Sequence, residues 1–535
     1  MNSNLDAYIS DGTPERVRER YRRLSDLAKE SDFGDLDENI VVIDTETTGF
    51  SFNHDELTQI AAARMEHGEV VDWYVTFVNP GKAIPDDVAH LTNIHDEDVA
   101  DAPSPDEALA GLVEFARDAK MVAHNAEFDR TFTTRHPSGY PLLDNIWIDS
   151  LDLARIALPR MRSHRLIDLV KAFGAPTSTH RADDDVAATC ALFRILLAAV
   201  HEMPPALVKC IALLASVEQW NTAVVFQHFA QPKAKSFSLK ELRHESMTSY
   251  ERKPRIDAKM VQSMEYPTAE DIAQAFSPTG IVGKLYDDFE PREEQLTMAQ
   301  EVRAAFEASE NLVVEAGTGV GKSMAYLVPA VLMAKANNIA IGVATKTNAL
   351  LDQLVYHELP ALAQSLGDIT YAPLKGFSHY PCLRKVNRFV KEGVKMVDVQ
   401  GTKYSQAPSL GALLSFIDQT DYDDMDSLKM DYRVVPRRAV TTTSHDCLRR
   451  KCPFYGTTCF VHGARRFAET ADVVVTNHTL LFCDAAADNG LLPPVRHWIL
   501  DEAHGAEAEA RRAFSLEIAA EDVIRLAQKV ASGES

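Results

Sequence analysis

Apolar and polar positions change period along this chain, and the changes mark out two kinds of folded unit. In the first two hundred residues, short apolar runs alternate with helical stretches. Ile40-Val41-Val42-Ile43 is a continuous apolar run that predicts a buried strand. Residues 57–66 and 69–78 flank His67-Gly68, which predicts a hairpin. Ser104-Pro105-Asp106-Glu107 predicts a helix start, with Ser104 as N-cap, Pro105 in the first turn and Glu107 closing a capping box. Leu109, Leu112, Val113 and Ala116 supply its buried face. Met121-Val122-Ala123 is another short strand, and residues 186–200 an apolar helix. Near the start, Val17, Tyr21, Leu24 and Leu27 recur at helical spacing, so residues 14–30 are expected as a docking helix at the surface. Met203-Pro204-Pro205 ends this first pattern. Residues 206–229 read as helical, 232–254 as polar linker, and Ile272, Ala275 and Phe276 as a short helix before a turn.

From about residue 285 the apolar runs are short and separated by helical stretches, the pattern of a parallel sheet. Residues 296–306 predict a helix, and Leu312-Val313-Val314 a strand leading into a glycine-rich turn. Met324-Ala325-Tyr326-Leu327-Val328 then opens a helix in which Pro329 predicts a kink. Residues 339–344, Val473-Val474-Val475 and Trp498-Ile499-Leu500 are the strands that follow, and residues 506–530 read as one amphipathic helix. The class is α/β in both parts.

Composition narrows the partners. The chain has 535 residues, 46% hydrophobic and 25% charged, as expected of a soluble globular protein of roughly three to four domains. A formal net charge of −23 argues against nucleic-acid binding by bulk charge, so any DNA must be held by local basic patches. The charged N-terminus has no secretory pattern and no apolar run is long enough to span a bilayer, so a cytoplasmic location without a membrane partner is expected. Seven cysteines is an odd count, and Cys382, Cys447, Cys452 and Cys459 fall in one segment, which favours a metal or cluster site over disulfides. Cys190, Cys210 and Cys483 are expected as buried or free thiols.

Asp44 and Glu46 end the first strand two residues apart, so period-2 alternation puts both carboxylates on one face. Adjacent like charges are costly unless a cation neutralises them, which points to a divalent metal. His124-Asn125-Ala126-Glu127-Phe128-Asp129 and His180-Arg181-Ala182-Asp183-Asp184-Asp185 place further acids beyond the second strand and before the apolar helix. With Asp44-Thr45-Glu46-Thr47-Thr48-Gly49, these resemble the three motifs of DnaQ-type 3′–5′ exonucleases of the DEDDh class. The resemblance implies a ribonuclease H-like domain in which Asp44, Glu46, Asp129 and Asp185 hold two Mg²⁺ or Mn²⁺ ions. It implies that His180 deprotonates the attacking water, a task suited to a near-neutral pKa. Relatives usually carry Gly where Asn93 stands, and Asn tolerates the left-handed conformation. Arg130, Arg135, Arg160, Arg162, Arg165 and Arg181 lie around the motifs as candidate phosphate contacts or as solvated surface charges.

The glycine-rich turn is Ala316-Gly317-Thr318-Gly319-Val320-Gly321-Lys322-Ser323. Such a loop turns its N–H groups around phosphate oxygens at the positive end of a helix, with Lys322 on the β/γ-phosphates and Ser323 on Mg²⁺. Ala316 stands where the general pattern begins with Gly. Asp501-Glu502-Ala503-His504 follows an apolar strand, so Asp501 would bind the Mg²⁺ of ATP and Glu502 would polarise the attacking water. Arg292 and Gln295 resemble the adenine-contacting Q motif of superfamily 2 helicases, and Thr345-Lys346-Thr347 their DNA-backbone segment.

Four thiolates suit tetrahedral zinc or an iron–sulfur cluster, and spacing alone does not decide, although paired Cys-x-x-Cys knuckles are missing. Lys375-Gly376-Phe377-Ser378-His379-Tyr380-Pro381-Cys382 resembles the start of the cluster domain of XPD/DinG-type helicases. That resemblance implies a [4Fe–4S] cluster on Cys382, Cys447, Cys452 and Cys459. Basic and aromatic residues interleave there, including Tyr380, Arg384, Arg449, Arg450, Phe454 and Tyr455, a composition suited to single-stranded DNA. The acidic run 418–426 is expected as a solvated loop.

Together these expectations describe an N-terminal helical extension (1–38), a DnaQ-like exonuclease domain (39–202) and a connector (203–284). A RecA-like helicase lobe follows in two parts (285–374 and 467–535), with an inserted iron–sulfur domain (375–466) between them and no second RecA-like lobe. The implied function is a DNA-repair nuclease–helicase acting on DNA that is single-stranded or has 3′ ends, with a 5′–3′ helicase half that is incomplete and expected to bind ATP weakly without unwinding. The alternatives are an exonuclease whose ATP-binding half only binds or gates DNA, and a polymerase-associated proofreading exonuclease.

Overall fold

The protein is described by a computed structural model covering residues 5–175, 182–247, 253–286, 289–317, 319–367, 369–456, 458–487, 491–515 and 520–531. Two compact units emerge. The first comprises Met1–Thr248, Pro381–Thr442 and Cys452–Phe454, and the second Ser249–Tyr380, Thr443–Lys451 and Tyr455–Ser535. Residues 375–466, expected as one insertion, are thus divided between the units.

The first unit is built on strands β1 (Ile40–Thr47), β2 (Leu57–Glu66), β3 (Glu69–Phe77), β4 (Lys120–Ala123) and β5 (Trp147–Asp149). Their order is β3-β2-β1-β4-β5, with β1, β2 and β3 antiparallel and β4 and β5 parallel to β1. The continuous apolar run of β1 reflects its central place, covered on both faces. Val41 and Ile43 join Leu109, Leu112 and Phe132 in one core, beneath the helix Pro105–Ala116. Alternation therefore turns Val42, Asp44 and Glu46 to the opposite face, where the helix Ala182–His201 packs on β1 and β2. The hairpin and the Ser104–Glu107 capping box form as expected. Asn93 adopts the left-handed conformation, φ 53°, at the end of a short helix. Residues 206–229, expected as one helical stretch, form Pro205–Ala212 and Ala223–Phe229. Among the described residues no single helix is long and apolar enough to cross a membrane, and the bent pair Ala182–His201 and Pro205–Ala212 belongs to the buried core.

The first part of the acidic run, residues 418–421, is not solvated. Asp418 and Asp421 are buried, and arginines from the first unit pair with them. Residues 381–442 fold against the exonuclease-like sheet unit, led by the helix Ala407–Asp418, which lies on the helix Ser150–Ala157. The helix Glu15–Glu30 is anchored through Val17, Tyr21 and Leu24. Arg160 is buried and donates to Asp423 at 2.5 Å, which removes it from the candidate phosphate contacts.

In the second unit β6 (Ile341–Thr345), β7 (Tyr371–Pro373), β10 (Val473–Asn477) and β11 (His497–Leu500) form a parallel sheet in the order β11-β6-β10-β7. The intervening β8 (Met396–Val399) and β9 (Thr402–Ser405) are a separate hairpin of the first unit. The helix Lys322–Asn337 runs through Pro329 and packs its apolar residues into the core with Val343, Val473 and Val475. Leu312–Val314 is not a strand, and Val313 is 93% exposed. An apolar run becomes a strand only where a neighbour completes its hydrogen-bond ladder, and β11, the sheet edge, does not pair with it. The expected helix 506–530 is two helices, Ala506–Ala513 and Ala520–Ala531.

Gly139 packs where the helix Ala126–Thr134 ends, and a Cβ there would lie 1.8 Å from the Thr133 carbonyl oxygen. Gly139→Ala is expected to lower the unfolding free energy by about 1–3 kcal/mol, measured by urea denaturation.

Candidate active site

Three elements deliver four carboxylates to one end of the first sheet. Asp44 and Glu46 stand at the end of β1, Asp129 lies in the first turn of the helix Ala126–Thr134, and Asp185 in the first turn of the helix Ala182–His201. β4 runs parallel beside β1, so the helix after β4 begins at the same end of the sheet. Asn125 makes that turn in the left-handed conformation, φ 78°. Asp129 is buried, and the Thr45 hydroxyl donates to its Oδ1 at 2.8 Å. Opposite Glu46 in the β1–β2 register sits Gln59, whose buried Oε1 accepts from the Ala182 N–H at 3.4 Å. Gln59 thereby ties the start of the Asp185 helix to the strand pair that carries Glu46.

The electrostatics follow from burial and from one another's charge. Burial first, then Asp129, Glu46 and Asp185, hold the Asp44 pKa well above the carboxylate range. Glu46 is raised from 4.5 to about 8 by burial, with Asp185 and Asp129 adding to it. Asp129 is pushed up to about 7 by burial, against the bond from Thr45. Acids that repel in this way are satisfied by protons or by cations. The donor set, oxygen ligands only, suits a hard divalent ion. Among the described residues no three candidate ligands are drawn closely enough to grip an ion as they stand. His180 lies outside the described residues, as does Arg181.

His124 has a bracing place. Its Nδ1 meets Ser150 Oγ and its Nε2 the His164 carbonyl oxygen, each at 2.9 Å, and burial lowers its pKa. Asp149 caps the helix Ser150–Ala157 and also accepts from the Asn125 N–H at 3.1 Å. Thr45, Gln59, Asp149 and Ser150 escaped the sequence reading. Asp149 had a signal, an N-cap type directly after the apolar pair Trp147-Ile148; Gln59 had none, because its partner is 123 residues away. Of the arginines near the site, Arg135 pairs with Glu56 and Arg162 with Asp11, so both already serve the fold. Phe50, 80% exposed, and Phe52 stand beside Phe128, next to Asp129.

In the second unit the glycine-rich segment leads into the helix Lys322–Asn337, with Gly321 left-handed, φ 83°. Lys322 Nζ donates to Glu502 Oε1 at 3.0 Å, and Tyr326 to Asp501 Oδ2 at 3.2 Å, so the two nucleotide motifs meet. Lys322 beside Glu502 keeps that carboxyl below its usual range. Gln295 donates to the Gly321 carbonyl at 2.9 Å and Arg292 to that of Gly319. Ala316, Gly317, Val320 and Ser323 complete the described part of the loop; Thr318 lies outside it.

Residues 41–193 match the family model of an exonuclease. The chain is 29% identical over 492 residues to the 3′–5′ exonuclease DinG of Bacillus subtilis, a match covering 88% of this chain and 50% of that protein. It is 38% identical over 226 residues to the ATP-dependent helicase DinG of Mycobacterium tuberculosis, covering 40% of this chain and 34% of the relative. The chain is a homologue of the DinG proteins. It spans about half the length of the Bacillus DinG it matches. A solved structure, exonuclease X in complex with 5′-overhanging duplex DNA, is 25% identical with a TM-score of 0.25, covering 30% of this chain and 90% of that one.

The four cysteines of residues 382–459 divide between the units, Cys382 and Cys452 in the first and Cys447 and Cys459 in the second. In the second, Cys447 Sγ lies 3.7 Å from His462 Nε2. Cys190 and Cys210 are buried, and burial pushes each thiol up to about 12.

Because the folded pKa of Glu46 is raised, its ionisation opposes folding: the contribution is complete below pH 4.5 and is lost as pH rises towards 8. In EDTA, Glu46→Gln is expected to melt higher than the parent at pH 8 and to lose less stability between pH 5 and pH 8. Added Mg²⁺ should raise the parent's melting temperature at pH 8 more than the variant's.

Proposed function

We propose that this protein is a divalent-metal-dependent 3′–5′ DNA exonuclease joined to the nucleotide-binding lobe of a DinG-type helicase. The observation that carries the reading is the convergence of Asp44, Glu46, Asp129 and Asp185, where burial and the neighbouring acids raise Asp44 and Glu46, within a segment matching an exonuclease family. Two Mg²⁺ or Mn²⁺ ions on these carboxylates would stabilise the attacking and leaving oxygens of the scissile phosphate. Thr45 holds Asp129 and Gln59 holds the Asp185 helix, so the acids are oriented before substrate arrives. His180 takes the proton of the attacking water, the bond to the 3′ oxygen breaks, and a nucleoside monophosphate leaves. Exposed Phe50 and Phe52 offer apolar faces beside Asp129 for the terminal bases.

In the second unit, Lys322 and Ser323 take the phosphates and Mg²⁺ of ATP, Asp501 the same ion, and Glu502 the attacking water. Binding requires Lys322 to leave Glu502 for phosphate. Cys382, Cys447, Cys452 and Cys459 fall in both units and no three candidate ligands are gathered among the described residues, so a [4Fe–4S] cluster on them rests on the motif resemblance alone. A second reading, in which this half binds nucleotide or gates DNA without unwinding it, is favoured by the exposed segment Leu312–Val314, which leaves the phosphate loop without a flanking strand.

Purified protein with Mg²⁺ is expected to shorten 5′-labelled single-stranded DNA from its 3′ end, and Asp129→Ala to lower the rate by on the order of 10³-fold. Full activity in that variant would overturn the exonuclease assignment. For the nucleotide half, Lys322→Ala is expected to weaken ATP binding at least about tenfold by calorimetry, with nuclease activity on single strands retained.

A further inference from the structure

Asp418-Gln419-Thr420-Asp421-Tyr422-Asp423 is a polar run of a kind that ordinarily faces water. Here Gln419 and Thr420 are completely buried, and Asp418 and Asp421 nearly so. They meet arginines from three distant parts of the first unit. Arg20 pairs with Asp418 at 3.6 Å, and Arg16 donates to the Asp418 carbonyl at 3.1 Å. Arg160 donates to Asp423, and Arg243, itself fully buried, to the Thr420 carbonyl, both at 2.5 Å. Buried charge of this amount persists only where each group is partnered, so the run has a defined place in the fold.

Its central member reaches further. Gln419 accepts from the Tyr21 hydroxyl at 2.6 Å and donates to the Ala157 carbonyl at 3.1 Å. Ala157 ends the helix Ser150–Ala157, so Gln419 satisfies one of that helix's last carbonyls, which have no partner within the helix. The helix Ala407–Asp418 approaches it closely enough that a Cβ on Gly411 would lie 3.2 Å from Ile156. At its other end the Ser150–Ala157 helix holds His124 through Ser150, and Asn125 through the cap Asp149. Beyond Ala157 the chain passes Arg160, gripped by Asp423, and within four residues reaches His164, whose carbonyl holds His124 Nε2. His124 and Asn125 lead directly into the helix that carries Asp129.

We propose that residues 407–423 are a positioning element of the exonuclease, bracing the segment 149–164 that orients His124, Asn125 and hence Asp129. The proposal rests on the exonuclease reading of the carboxylate site. It makes a stretch of sequence lying between the two nucleotide motifs a working part of the nuclease, and Gln419 its principal positioning residue. A purely structural role would lower stability and leave the turnover of the folded protein unchanged.

The full chain carrying Gln419→Met, which keeps volume but loses the bonds to Tyr21, Ala157 and Ser415, separates the two. Its kcat for trimming an end-labelled oligonucleotide should fall about 10- to 100-fold with KM within about twofold, and, with Mg²⁺ held by the site carboxylates, the Mg²⁺ concentration for half-maximal rate should rise. Amide hydrogen exchange across residues 122–130 should accelerate about tenfold while the helix Pro105–Ala116 is unchanged. Asp423→Asn, a milder change, should move the same readouts in the same direction and serves if the first variant does not fold. A folded variant with unchanged kcat and unchanged exchange at 122–130 overturns the proposal. If the parent protein degrades no DNA, the function reading falls separately, and exchange at 122–130 alone still supports or overturns the brace.

Discussion

Repulsion among buried carboxylates is the constraint around which the first unit is arranged. Asp44 and Glu46 come to one face because a strand alternates, but Asp129 and Asp185 arrive on helices that begin at the same edge and must be held there. Several neighbouring side chains have that task. Thr45 donates a hydrogen bond to Asp129, Gln59 ties down the start of the Asp185 helix, and His124 and Asp149 fix the turn at Asn125. Since no acid in the set gains from the others, the surrounding hydrogen bonds carry the cost of assembling the site until a cation does.

What the sequence made legible was local. Two-residue alternation on a central strand, a capping box and a hairpin are each decided by neighbouring residues, and each is found in the structure. What it concealed was decided by distance. Leu312–Val314 has the composition of a strand, yet strand formation depends on a neighbouring edge, and the run stays exposed. The run 418–426 has the composition of a loop, yet its residues 418–421 are buried and Arg16, Arg20, Arg160 and Arg243 pair along it. Arginine positions were misleading for the same reason: a guanidinium near a motif looks like a phosphate contact until a buried Asp423 or a Glu56 is found beside it.

The nucleotide segment shows a related economy of charge. Lys322 and Glu502 neutralise one another, and the carboxyl stays ionised because of it. A phosphate bound in the proposed way would exchange one anionic partner of Lys322 for another. Gln295 and Arg292 on the preceding helix hold the loop's carbonyls, so its N–H groups remain available for an anion.

The two acidic clusters of the first unit make the physical distinction plain. Asp418 and Asp423 are buried as deeply as the site acids, and burial raises their pKa too. In their case Arg20, Arg16 and Arg160 pull the values back down, whereas the neighbours of Asp44 are Asp129, Glu46 and Asp185, which push further up. Burial alone therefore does not identify a working site, nor does a count of acids in the sequence. The sign of the surrounding charge does: an acid facing arginines has its counter-ion within the chain and holds structure together. An acid facing acids, as Asp44 faces Asp129, Glu46 and Asp185, is pushed further up instead, and a cation is what relieves such repulsion.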